Sequence, residues 1–106
     1  MLRIATLLLT AAVFCFGARA QDGSAGAGLV YARSICAECH AIQGDLPSPN
    51  PKAPTFHKIA NTPGMTGAAL LVILQTPHRN MRDFIVPAKD KADVVAYILS
   101  LRGNGE

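Results

Sequence analysis

Two cysteines three residues apart, followed at once by a histidine, sit in the segment Cys36-Ala37-Glu38-Cys39-His40. They constrain the fold more than any other feature, because the chain around them is too short to rest on an apolar core alone. The chain has 106 residues, which allows one domain at most. Its first stretch, residues 1–20, reads as a cleaved secretory signal peptide. Arg3 supplies the positive n-region, 4–16 is an apolar run, and Ala18-Arg19-Ala20 is an A-x-A cleavage site. The run is too short to span a bilayer as a helix, so it is not read as an anchor. Cys15 follows Phe14 where a lipoprotein site needs a small residue, so it belongs to the discarded leader. The domain is then 21–106, which is 86 residues. Chains of that size bury a modest core and often need a disulfide, a metal or another staple. What Cys36 and Cys39 hold is therefore the first question.

Composition narrows the partners. Half of the residues are hydrophobic, which argues against disorder, although part of that content lies in the leader. The whole chain carries a formal charge of +3; once Arg3 and Arg19 leave, eight Lys and Arg stand against seven Asp and Glu, a net charge of +1. Lys52, Lys58, Arg79, Arg82, Lys89, Lys91 and Arg102 are scattered, with no basic stripe for nucleic acid.

Hydrophobic spacing predicts helices and no strand. Asp22 or Ser24 is placed to cap a first helix running toward Cys36, with Leu29, Ala32 and Ile35 on one face and Arg33 on the other. Gly26 and Gly28 weaken that helix. Residues 41–64 hold Pro47, Pro49, Pro51, Pro54 and Pro63, and no regular element fits them. A structureless loop of this length needs something to pack on, and a large apolar cofactor would serve. A second helix is predicted over 66–75, with Thr66 as N-cap, Leu70, Ile73 and Leu74 at helical spacing, and Pro77 forcing an end. Residues 77–88 form a loop containing Met81. The clearest helix covers 90–102, where Val94, Tyr97, Ile98 and Leu101 fall at i, i+3, i+4 and i+7. Arg102 lies in its last turn and Gly103 stops it. The fold class expected is all-α: three main helices and irregular loops.

C-x-x-C-H is the spacing of a covalent haem c attachment site. Two vinyl groups on neighbouring pyrroles each take one thiol, and two cysteines on one turn reach both. The next residue, His40, then points its imidazole at the iron from the same side. The export signal agrees, since such haems are attached outside the cytoplasm. A redox C-x-x-C disulfide usually sits near a βαβ pattern, which is missing here. Zinc would need two further ligands, and His57 and His78 do not pair at finger spacing. The iron's other axial ligand is open among Met65, Met81, His57 and His78. Met81, in a loop between helices, is best placed to present sulfur, while Met65 before a helix N-cap reads as core filler. His/Met ligation would raise the reduction potential.

With these residues in view, the chain resembles the class I cytochromes c over nearly all of 21–106. Gly28 stands eight residues before Cys36, where that family keeps a small residue so that its first and last helices cross closely. Val94 and Tyr97 look like the last-helix side of that contact. The family usually has an aromatic four residues before the first cysteine; here that position is Ala32, with Tyr31 beside it. Ala53-Pro54-Thr55-Phe56-His57-Lys58-Ile59 resembles the family's proline segment, which implies that the Pro54 carbonyl orients His40. Thr76-Pro77-His78-Arg79-Asn80-Met81 looks like the methionine loop, which implies Met81 as the second axial ligand. The family often has proline after that methionine, whereas Arg82 follows here. His57 and His78 read as surface loop residues. Arg79, Arg82, Lys58 and Lys89 read as solvated charges, some of them at the rim of an exposed haem edge.

The function expected is one-electron transfer in the periplasm by a single covalent haem c. The protein would not be an enzyme, since both axial positions are filled and little chain is left for a substrate pocket. Its partners would be redox proteins docking through a small interface, with mild electrostatic steering, no nucleic acid, and no integral membrane segment after cleavage. Two alternatives remain: a subunit through which electrons enter a periplasmic dehydrogenase or oxidase, and a haem-based sensor of small ligands.

Overall fold

The structure is a computed structural model and describes residues 23–77 and 85–103. The segment 1–20, Asp22, and the loop residues His78, Arg79, Met81 and Arg82 lie outside them. The described residues are all-helical, with no strand among them: α1 (Ala25–Ser34), a 3-10 turn (Cys36–Glu38), α2 (Phe56–Ala60), α3 (Gly67–Gln75) and α4 (Ala88–Ser100). No helix among the described residues is long and apolar enough to cross a membrane.

Ser24 caps α1. It is extended, at φ −84° and ψ 117°, and its hydroxyl accepts from the Ala27 amide at 3.2 Å. Its own amide donates to Asp93 Oδ1 at 2.7 Å, so the start of α1 is tied to α4. The helix ends where the Ile35 amide returns to the Tyr31 carbonyl at 3.0 Å. Ile35, expected on the apolar face, is instead the C-cap at φ −121° and is 40% exposed. Once the helix stops, the 3.6-residue period no longer directs its side chain inward.

The core is built around α4, against which α1, α2 and α3 all pack. The α1–α4 crossing is close because Gly28 has no side chain. A Cβ there would overlap the Asp93 backbone carbonyl and come within 2.8 Å of Tyr97 Cβ. Gly28 costs α1 about 1 kcal/mol of intrinsic helix stability; in return the small Ala32 and Val94 are both fully buried. Val94, Tyr97 and Ile98 form the inner face of α4, as their spacing predicts, and Val95 joins them at 7% exposure. In α3, Thr66 accepts from the Ala69 amide at 3.0 Å as N-cap, and Leu70 is 1% exposed. Burying a leucine so completely contributes roughly 1.5–3 kcal/mol.

One helix and the bounds of another differ from the sequence reading. The stretch 41–64, expected to hold no regular element, contains α2. Thr55 follows Pro54 in an extended conformation, and its hydroxyl accepts from the Lys58 amide at 3.1 Å. Five residues are too few to show a period, yet Phe56 and Ala60, one turn apart, are 4% and 1% exposed. Helix α4 starts at Ala88 rather than at residue 90, because the Pro87 carbonyl accepts from the Asp90 and Lys91 amides at 2.9 and 3.1 Å. Its far end is held by side chains. Arg102, past the helix, donates from Nε to the Ala60 carbonyl at 3.2 Å and from a terminal nitrogen to the Met65 carbonyl. Asn61 accepts from the Gly103 amide at 3.0 Å.

Candidate functional site

The residues from Cys36 to His40 form a single turn directly after α1. The amides of Cys39 and His40 both donate to the Cys36 carbonyl, at 3.1 and 2.9 Å. Both thiols are free; Cys36 is partly buried and Cys39 exposed. Burial pushes the Cys36 thiol up to about 11. A C-x-x-C pair built for disulfide exchange is tuned the other way, toward a stabilised thiolate. Among the described residues no three His, Cys, Asp or Glu side chains gather where a metal ion could be held.

His40 is 8% exposed and its ring is held on two sides. Nδ1 lies 2.6 Å from the Pro54 carbonyl oxygen. A carbonyl can only accept, so in this contact Nδ1 carries a proton and Nε2 is the ring nitrogen left for an iron. The Phe56 ring lies against the imidazole, with centroids 5.4 Å apart and planes inclined at 52°. Thr55, by capping α2, fixes where Pro54 ends and Phe56 begins, so one local turn supplies both contacts. Two thiols on one turn and an imidazole held through Nδ1, which leaves Nε2 to face an iron, are the donor set a covalent haem c requires.

Among the other residues singled out in the sequence, Met81 and His78 lie outside the described residues. Met65 is partly buried and packs against the core, while Arg102 holds its carbonyl. His57 is not a loop residue. It belongs to α2, is half-buried, and its Nε2 is buried with no hydrogen-bond partner among the described residues. Lys58 is exposed. Lys89 lies 3.5 Å from Asp90, a surface pair of about 0–1 kcal/mol. Sequence reasoning missed three groups around His40: Ser48, Phe56 as a ring partner, and the Tyr97 hydroxyl. Tyr97 fell on an apolar stripe, and that pattern says nothing of where its hydroxyl goes.

An all-helical fold carrying this turn defines a class, and the chain belongs to it: the small bacterial c-type cytochromes. The likeness runs over almost the whole length. Cytochrome c-552 of Bradyrhizobium diazoefficiens is 30% identical to this chain over 101 residues, covering 95% of this chain and 97% of that protein. No protein-family model and no solved structure matches the chain.

Proposed function

We propose that the protein is an exported, periplasmic one-electron carrier rather than an enzyme, with one haem c held by thioethers from Cys36 and Cys39. His40 and Met81 are the axial ligands in this reading, and Pro54 orients His40. The observation that carries it is the 2.6 Å contact from His40 Nδ1 to the Pro54 carbonyl, beside two free thiols on the same turn. When bound, the haem iron supplies a ferric/ferrous couple. The chain's own residues do the rest. Pro54 keeps the proton on Nδ1 and raises the basicity of Nε2. Phe56 restricts ring rotation and excludes water. The leader at 1–20 takes the chain to the compartment where attachment occurs, leaving a domain of 21–106. Its partners are redox proteins.

The visible spectrum of the exported protein tests this, oxidised and reduced, with and without carbon monoxide, and after denaturing extraction. Haem that stays on the chain, is low-spin and ignores carbon monoxide supports the carrier. Covalent haem that binds carbon monoxide readily removes Met81 from the iron. No covalent haem, after expression beside a working maturation system, ends the reading. Met81→Ala is expected to keep haem attached, open the ferrous form to carbon monoxide and lower the potential. The fall is roughly 0.1–0.3 V, a fraction of the about 0.8 V span that axial ligands command. An unchanged potential would show that another residue is the ligand.

A further inference from the structure

The chain leaving His40 is tied at successive backbone groups. The Cys39 carbonyl accepts from the Asn50 amide at 3.1 Å. The Ala41 amide donates to Ser48 Oγ at 3.0 Å, and the Ala41 carbonyl accepts from the Phe56 amide at 2.9 Å. These three ties come from the loop that carries Pro54 and from the first residue of α2 that follows it. The fourth crosses the fold: the Tyr97 hydroxyl, on α4, donates to the Ile42 carbonyl at 2.5 Å. Tyr97 and Ile42 are 6% and 8% exposed, so this bond is made away from water. Burial pushes the Tyr97 hydroxyl above the ordinary tyrosine value, opposed by the charge of Arg33, so it stays protonated and donates. The Tyr97 ring also lies 6.3 Å from Phe56, the ring that rests on His40.

We propose that Tyr97 is a positioning residue for the iron ligand: through the Ile42 carbonyl and the Phe56 ring it holds His40 against Pro54, and so sets the strength of the Nδ1–H to carbonyl bond. This rests on the reading of His40 as an axial ligand. A tighter bond makes the imidazole a stronger donor, which favours ferric iron and lowers the potential. Removing the hydroxyl leaves a buried carbonyl unpaired, and the segment can recover that loss only by moving. The Pro54 contact then loosens and the potential rises.

Tyr97→Phe in the haem-loaded protein tests this, with Asp93→Ala as the control. Asp93 also ties α4 to another part of the fold, but to the Ser24 amide at the start of α1 rather than to the segment that follows His40. Tyr97→Phe is expected to raise the midpoint potential and to speed solvent exchange of the His40 Nδ1 proton roughly tenfold, the equivalent of about 1.4 kcal/mol. Asp93→Ala lowers thermal stability and leaves both readouts as in the wild type. If Tyr97→Phe only lowers stability, or both variants move the potential alike, Tyr97 is structural and the proposal falls. If Tyr97→Phe does not mature, the wild type decides by NMR. Loss of the His40 Nδ1 proton and the Tyr97 hydroxyl proton in one opening event supports the clamp, and independent exchange overturns it. Failure of the underlying reading looks different: the His40 ring protons would then lack the large paramagnetic shifts of an iron-bound imidazole in the ferric protein.

Discussion

Replacing both cysteines, Cys36→Ala with Cys39→Ala, is expected to abolish covalent haem completely. Nothing coloured should remain on the chain after denaturing extraction, where the wild type is expected to keep its haem. The geometry explains why the loss is total. The two thiols stand on one turn, closed by the Cys39 and His40 amides on the Cys36 carbonyl, and both are free. They are the only cysteines of 21–106, so no other thiol can substitute. Stability should fall as well, since the chain would lose the large apolar group on which its helices and long loop pack. Among the described residues the largest side chains that are fully buried are only Leu70, Val86 and Val94, a modest core for a chain of this length. Haem that survived denaturation on the doubly substituted chain would contradict the assignment outright.

Gly28→Ala is expected to have the largest effect on folding of any single methyl addition in α1. The new Cβ would overlap the Asp93 carbonyl and approach Tyr97 Cβ at 2.8 Å. Backbone cannot rotate away as a side-chain tip can, so α1 and α4 must separate. Overpacking of this kind costs up to about 3 kcal/mol, sometimes more. Alanine's better helix propensity returns about 1 kcal/mol. A net loss of about 2 kcal/mol lowers Tm by roughly 10–15 °C for a domain this small. In urea the midpoint should fall with the slope unchanged. Gly26→Ala supplies the contrast: its Cβ would meet nothing closer than Ser24 Oγ at 3.8 Å. There the same substitution should raise stability, by about 0.5 kcal/mol. Equal effects at the two glycines would mean that α1 and α4 do not cross so closely.

The elements that were legible were those whose information is local. Thr66 and Pro77 bracket α3, and the stripe of Val94, Tyr97 and Ile98 marks the buried face of α4. Helix α2 was not legible, because a five-residue helix shows no period and sits among prolines. The boundary of α4 was two residues late, since a proline carbonyl can cap a helix without any capping side chain. Periodicity carries α4 on to Arg102, but the helix ends at Ser100, and Arg102 lies past it with its side chain on the Ala60 carbonyl.

The candidate site divides in the same way. By itself the sequence determined the turn: residues three apart on one backbone turn stay together in any fold that forms it, so Cys36, Cys39 and His40 were readable as a unit. It also determined the helical class, through caps and periodicity. Pro54 was reached by resemblance to a family, since nothing in a proline segment says which imidazole its carbonyl will face. Only the tertiary structure decided that Phe56 lies on His40, that Asp93 holds the start of α1, and that Tyr97 reaches the Ile42 carbonyl. The physical reason is that these contacts join groups far apart in the chain, or point a hydroxyl in a direction that no hydrophobic pattern records. Periodicity says which face of a helix is buried; only packing says what each polar atom on that face meets.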